Sequence, residues 1–354
     1  MFENEIITRD VARIVSVQTN LTNVCPQHCI MCHKPEWAKI QTGRNAALEP
    51  IHLAEQLNTL PHLETVVLSG GDPMNYAHLQ DYIGLVKKNI DFGMFTTGLD
   101  NAKNRYKDLP FERFGYIRFS IDGNNPETWA KIRGSVPQAY NVAWNNVLFV
   151  AKKFQEIFSD RGKEHVRIQF TIQSENIAEF PEMVAKCCNN DIPIFGYWVH
   201  DYNVVNKDQV RELKYQLNSM YLKANSATEE WFDKWTNIDS LIQLGDGVPR
   251  KLDAKKCIIP LVHAFIDTDG MVFPCCYLVG DNLPFDQRDT KYSYGNFYDR
   301  PLVDILSTNN IEKVRREHIN MQNEICKACV SNQSRYYKVN LEADDLRHRR
   351  KVYL

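Results

Sequence analysis

"TNVCPQHCIMCHKPEW", Thr22 to Trp37, places three cysteines, Cys25, Cys29 and Cys32, within eight residues. Their spacing, i, i+4, i+7, is that of one helix face, on which three thiols would be buried as small apolar side chains. It is also the spacing of a loop that closes around a metal cluster. Pro26 fixes φ directly after the first thiol and carries no N–H, which suits a tight turn as much as a helix start. The rest of the chain has to decide between the two readings.

Around this stretch the first 200 residues alternate between two periods. "RIVSVQT" (13–19) precedes the cysteines as a strand alternating Val15 and Val17 with Ser16 and Gln18. "TVVLSGG" (65–71), "FGMFTTG" (92–98), "YIRFSIDG" (116–123), "VRIQFTI" (166–172) and "IPIFGYWV" (192–199) repeat the theme. Helix-period segments lie between them, such as "LEPIHLAEQLNTL" with Leu53, Leu57 and Leu60 on one stripe. Strands separated by crossover helices require a parallel sheet with right-handed connections. Ligands gather at the C-terminal ends of such strands, and "CPQHCIMC", "SGGDP", "TTG" and "SIDG" all fall on that edge.

The ten cysteines of this 354-residue chain fall into groups: 25/29/32, 187/188, 257, 275/276 and the "CKAC" of Cys326 and Cys329. Grouped cysteines in a chain this long point to metal or redox chemistry rather than to a secreted disulfide scaffold. A net charge of -2 offers no global basic field for nucleic acid, and "RHRRK" (347–351) reads as a solvated tail. No apolar run reaches the roughly 18 residues of a membrane helix, and the acidic "MFENEIITRD" has no signal-peptide core. The expected location is cytoplasmic, with neither membrane nor nucleic acid as partner.

A CxxxCxxC following a first strand, with a glycine pair ending the second, resembles the radical S-adenosylmethionine (SAM) superfamily. That resemblance implies α/β architecture, a partial (β/α)6 TIM-type barrel with a small C-terminal cysteine-rich iron–sulfur domain. It implies a [4Fe-4S] cluster on Cys25, Cys29 and Cys32, with one iron left open to chelate SAM. "SGGDP" (69–73) stands where the family has Gly-Gly-Glu-Pro, so Gly70, Gly71 and Asp72 are expected to face SAM. Here Asp72 keeps the usual charge one methylene shorter, and glycines let backbone approach the cofactor. Thr97 of "TTG" and Ser120 of "SIDG" match later SAM-contacting strands. Met31 stands where the family has an aromatic packing on adenine, and can serve as a flexible apolar contact.

Cys257, twelve residues, Gly270, four residues and Cys275, followed later by Cys326 and Cys329, resemble the twitch or SPASM extension of the same superfamily. The resemblance implies one auxiliary [4Fe-4S] cluster on these four thiols, active in electron transfer; Cys276 could replace Cys275, and four thiolates would also suit a structural zinc. The expected organisation is a radical SAM core over 1–205, a helical bridge over 206–245, the auxiliary domain over 246–335 and a terminal helix or tail over 336–354. Within the bridge, Trp231, Phe232 and Trp235 are expected packing anchors.

The expected activity is that of a radical SAM enzyme. It would cleave SAM reductively to a 5′-deoxyadenosyl radical and abstract hydrogen from a peptide or natural-product substrate. A flavodoxin- or ferredoxin-type reductant would supply the electron. Dehydrogenation or decarboxylation of an aminocyclitol or sugar nucleotide is the alternative within the superfamily, and a non-catalytic metal-binding scaffold the alternative outside it. Only 24 residues precede Cys25, too few for a leader-binding domain, which points to a small molecule or to a separate leader-peptide-binding protein. Several further residues have two readings each. Arg118 shares a strand face with Ser120 and would grip an anionic group or pair inside the barrel. Gln173 and Asn176 would reach SAM or cap the next helix, capping being the expected role of Asn176. Cys187 and Cys188 read as idle thiols ending a helix, and His33 as a packing or proton-transfer residue beside Cys32.

Overall fold

The computed structural model describes residues 14–32, 47–100, 105–199, 205–238, 259–279 and 291–307, with 241, 311, 312, 314 and 317. The chain divides into two compact units. The first comprises Met1–Cys25, His33–Met94 and Lys251–Leu354; the second comprises Pro26–Cys32 and Phe95–Arg250.

The first unit is built on β1 (Ser16–Thr22), β2 (Thr65–Gly70) and β3 (Asp91–Thr96, whose last two residues belong to the second unit). β7 (His263–Ile266), β8 (Met271–Phe273) and β9 (Gly295–Asn296) complete it. Their order is β3-β2-β1-β7-β8-β9. β1 pairs in parallel with β2 on one side and β7 on the other; β8 and β9 add on antiparallel. One face, carrying Val17, Val66 and Phe92, packs under α1 (Pro50–Asn58) and α2 (Leu79–Leu85), with Phe92 6.1 Å from the Tyr82 ring. The opposite face presents Ser16, Gln18, Asn20, Ser69 and His263.

In the second unit β4 (Phe114–Ser120), β5 (Val166–Ile172) and β6 (Ile194–Trp198) pair in parallel, in the order β4-β5-β6. The sequence of β5 alternates, and so does its burial: Val166, Ile168, Phe170 and Ile172 are buried, Arg167, Gln169 and Thr171 half-buried. Phe170 lies 5.1 Å from Phe180, which identifies the buried side as the one under α5 (Phe180–Asn189). α3 (Pro126–Arg133) starts on Asn125, whose side chain accepts the N–H groups of Glu127 and Thr128, and stops at Gly134 with φ +55°. The long α4 (Pro137–Phe158) starts on Pro137 and buries Tyr140, Trp144, Val147, Val150 and Phe154 at helical spacing. α6 (Lys207–Lys223) opens with an Asn206–Gln209 capping box, and α7 (Ser226–Trp235) buries Trp231 and Phe232 while Trp235 stays half-buried. The Asn237 side chain accepts the N–H of Gly196 at 2.8 Å and donates to its carbonyl at 2.7 Å, on the side of β6 away from β5.

Each of the six strands expected in the first 200 residues forms. The first is displaced: it runs to Thr22 rather than Thr19, because Asn20 and Thr22 continue the pairing with Ser69 and Gly70. The C-terminal segment differs more. It reads as unperiodic, yet His263–Ile266 pairs with Ser16–Thr19, and Phe265, Phe273, Leu278 and Val279 form a small apolar core. Strands of four and three residues are too short to show a period. No helix among the described residues is long and apolar enough to cross a membrane.

Candidate cofactor and metal centre

The residues from Val24 to Cys32 are loop and turn, so the helix of buried thiols is excluded. Each unit holds its own part of this stretch. In the first unit, Gly71 N–H donates to the Thr22 carbonyl at 2.6 Å and Asp72 N–H to the Val24 carbonyl at 2.9 Å. A Cβ on Gly70, which has φ +125°, would collide with the Thr22 carbonyl, and one on Gly71 with the Val24 carbonyl. The glycine pair is therefore needed to bring the end of β2 against the chain entering Cys25. Asp72 is fully buried, and its Oδ1 accepts the Met74 N–H at 2.9 Å. Cys25 is half-buried.

In the second unit, the N–H groups of His28 and Ile30 donate to the carbonyls of Arg133 and Ile132 at 3.0 and 2.9 Å, and Cys32 N–H closes a turn onto the Cys29 carbonyl at 3.1 Å. Gly134 lies so close to the His28 carbonyl that a Cβ there would collide with it. The Arg133 side chain joins these parts. Its Nη1 donates to Cys29 Sγ at 3.2 Å and its Nη2 to the Ser120 carbonyl. Its Nε stands 3.2 Å from Asp122 Oδ2, an ion pair without hydrogen-bond alignment. Asp122 Oδ1 accepts the Thr171 N–H at 2.5 Å. Burial lifts the Asp122 carboxyl above the ordinary range, opposed by the Arg133 charge and the Thr171 hydrogen bond. Asn176 locks the same corner: its Nδ2 donates to the carbonyls of Asp122 and Thr171, and its Oδ1 accepts the Gln173 N–H. It makes no side-chain cap of the helical turn that follows it, so the expected capping role gives way to cross-linking of two strand ends.

The other expected cofactor residues are spread over these elements. Met31 and Ser120 are half-buried; Thr97 is buried, and its hydroxyl accepts the Leu99 N–H at 3.1 Å. Cys275 and Cys276 are half-buried against the small core of the C-terminal segment. Cys257, Cys326, Cys329 and His33 lie outside the described residues. Cys187 is buried in α5 and Cys188 half-buried, and burial raises both thiols above the ordinary cysteine range. Among the described residues no three His, Cys, Asp or Glu side chains converge as a ready-made ion site. The donor set nonetheless fits an iron–sulfur cluster. Cys25, Cys29 and Cys32 are thiols in no disulfide, on loop backbone, the kind of donor such a cluster takes, and the Arg133 guanidinium fixes the position of Cys29 Sγ. Arg133 and Asp122 are the parts that motif reading passes over. Their signal in the sequence is an aspartate on the buried strand-end "SIDG", a charge that demands a cation.

Residues 19–187 match the family described as the radical SAM superfamily, and residues 257–330 the SPASM iron–sulfur cluster-binding domain. Comparison with curated protein sequences returns no match. Among solved structures the chain resembles Streptococcus suis SuiB bound to S-adenosylmethionine, at 14% identity and a TM-score of 0.56, covering 94% of this chain and 75% of that one. SuiB bound to its precursor peptide SuiA gives 13% identity and a TM-score of 0.56, covering 94% and 74%. Hexahistidine-tagged anSMEcpe with bound AdoMet gives 16% identity and a TM-score of 0.56, covering 90% and 87%. The fold and the two matched segments define an α/β protein with an unclosed parallel barrel and a C-terminal iron–sulfur domain. The chain carries a radical SAM domain over 19–187 and a SPASM domain over 257–330; its cofactors are iron–sulfur clusters and S-adenosylmethionine.

Proposed function

We propose that the chain is a radical SAM enzyme that takes a hydrogen atom from a peptide or natural-product substrate. Cys25, Cys29 and Cys32 would hold the SAM-binding [4Fe-4S] cluster, and Gly70, Gly71, Asp72, Thr97, Ser120 and Met31 would surround SAM. Cys257, Cys275, Cys326 and Cys329 would hold an auxiliary cluster. When bound, the SAM cluster supplies one-electron cleavage of SAM to a 5′-deoxyadenosyl radical. The auxiliary cluster, with all four irons held by thiolates, would carry electrons rather than bind substrate.

The observation that carries this reading is the fixing of Cys29: Arg133 reaches its sulfur while held by Asp122 and the Ser120 carbonyl. Arg133 orients the Cys29 side chain, and the carbonyls of Ile132 and Arg133 orient the loop backbone. The likeness to SuiB, solved with its precursor peptide SuiA, supports a peptide as substrate. A flavodoxin- or ferredoxin-type protein would deliver the electron, and a separate leader-peptide-binding protein would present the peptide.

The test is iron, sulfide and EPR on anaerobically purified protein, beside Cys25→Ala/Cys29→Ala/Cys32→Ala, with 5′-deoxyadenosine measured after dithionite and SAM. About eight irons falling to about four, with loss of 5′-deoxyadenosine, is the expected result. Full cluster content without SAM cleavage overturns the enzyme reading. Zinc in the C-terminal site removes its electron-transfer role.

A further inference from the structure

Between the first two cysteines of the loop stands a glutamine that faces inward. Gln27 is 1% exposed, while its neighbour His28 is exposed and Pro26 and Cys29 are half-buried. Glutamine on a loop ordinarily turns to water. Its surroundings are fixed, because the N–H groups of His28 and Ile30 are tied to the carbonyls of Arg133 and Ile132. The two ends of the Gln27 carboxamide fare differently. Oε1 lies 3.8 Å from Cys29 Sγ, a long contact in which the thiol is the donor. Nε2 is buried and has no hydrogen-bond partner. A buried amide N–H left unmatched is costly and calls for an explanation.

The contact with Oε1 lasts only while Cys29 keeps its proton. A cysteine that ligates metal is a thiolate, which accepts hydrogen bonds and donates none. Oε1 would then face another acceptor. The oxygen and nitrogen of a carboxamide exchange places by a half turn of nearly unchanged shape. That turn sets the Nε2–H against Cys29 Sγ and leaves Oε1 where the nitrogen stood. A buried carbonyl oxygen without a partner is better tolerated than a buried N–H. Gln27 is thus poorly matched to a protonated Cys29 and well matched to a metal-bound one. Arg133 Nη1 already donates to the same sulfur at 3.2 Å, so Cys29 would take two donors.

We infer that Gln27 is a positioning residue whose side-chain amide donates to the Cys29 thiolate and sets how readily the cluster on Cys25, Cys29 and Cys32 accepts an electron. Hydrogen bonds to the sulfurs are among the factors that set the potential of an iron–sulfur cluster. The reduced form carries one more negative charge, so a donor favours it and raises the potential. The inference rests on the proposed assignment of that cluster to those three cysteines.

An EPR-monitored redox titration of full-length, anaerobically reconstituted protein, with dithionite as reductant, tests it. The signal to follow is the one that Cys25→Ala/Cys29→Ala/Cys32→Ala lacks. Gln27→Met, of similar length but without an N–H, should lower the equilibrium constant for one-electron reduction about tenfold, a potential about 59 mV more negative. Gln27→Glu, of the same shape but with acceptors only, should lower it at least as far. Gln216→Met, on α6 where Gln216 bonds to Glu212, should leave it unchanged. A role in packing alone would change iron content or unfolding and leave the potential of the loaded protein where it was; an unchanged potential in Gln27→Met and Gln27→Glu overturns the inference. Should Gln27→Met take up no cluster, the wild type decides. Pulsed EPR of the reduced protein, grown with isotope-labelled glutamine side-chain nitrogen, should show coupling to that nitrogen, and its absence overturns the inference. SAM affinity is measured in the same variants. If it falls while the potential holds, Gln27 serves the cofactor and the inference fails. A wild type without the signal in question sinks the proposed cluster and the inference with it, a result distinct from an intact signal that ignores Gln27.

Discussion

The two units each present a polar sheet face on the side away from the helices described above, and the faces are wired differently. In the first unit the polar groups satisfy one another. Gln18 donates to Ser69 at 3.0 Å, Ser69 to Asn20 at 2.9 Å, and Asn20 to the buried Asp267 at 2.8 Å. Asn23 reaches Thr268 at 3.1 Å, and His263 pairs with Ser16 at 3.2 Å. In the second unit Arg118 and Arg167 stand in register and stack on aromatic rings, while Gln169 Oε1 and Gln173 Nε2 are buried without a hydrogen-bond partner. A polar network closed on itself fixes a structure more firmly than one with buried atoms left unmatched. The first face should therefore contribute more to stability than the second.

The strongest test of that division is Arg133→Met, which strips the buried Asp122 of its counter-charge. The expected loss is about 3–5 kcal/mol, because the orphaned carboxylate costs more than the pair contributes. Urea unfolding measures it, and the double variant with Asp122→Asn should lose less than the single one. A smaller loss than in Arg167→Gln would place the structural burden on the wrong arginine.

Asp267→Ala comes next. It orphans the Asn20 amide and the Thr268 N–H, which the same carboxylate oxygen accepts. Its expected cost is about 2–4 kcal/mol in thermal or urea unfolding. An unchanged stability would break the comparison outright.

His263 sharpens it through pH. Burial lowers its folded-state pKa to about 4. The folded chain therefore binds fewer protons than the unfolded one between about 4 and the ordinary value near 6.5. The stability contributed is fully present above about 6.5 and is lost as pH falls toward 4. The half-buried ring limits the effect to about 1–2 kcal/mol. His263→Gln should flatten that arm of a stability-versus-pH curve.

The smallest expected change is in Arg167→Gln. Lost stacking on Phe195 and relieved repulsion from Arg118 nearly cancel, so unfolding should move by no more than about 0.5 kcal/mol. A large destabilisation would make the second face as structural as the first.

Much of this was legible in the residues. Alternation in "VRIQFTI" and "YIRFSIDG" marks the strands, and in the first of these burial follows it residue by residue. The cysteine spacing by itself fits a helix face as well as a loop, and the resemblance to radical SAM proteins favours the loop; Arg118 is placed on the Ser120 face by strand period alone. Three things were not legible. "SGGDP" carries a motif, but the contact of its glycines with Thr22 and Val24 depends on two strand ends meeting across some fifty residues of chain. Arg133 and Cys29 are 104 residues apart, and nothing local in either predicts the other. β7 is four residues long, and its pairing with β1 spans nearly 250 positions. Local pattern fixes which face a side chain takes; it is silent on which distant element that face will meet.

The Asn237 amide that pairs with both backbone groups of Gly196 has a colloidal consequence. A terminal strand with free N–H and C=O groups is a template on which another chain can grow. One side chain occupying that position acts as a strand a single residue long, sealing the middle of the five-residue β6 at the cost of one amide. Asn237→Ala reopens it. Light scattering of that variant should rise with protein concentration while the wild type stays flat, so the dispersal of this protein in a crowded solution depends on a residue remote from its chemistry.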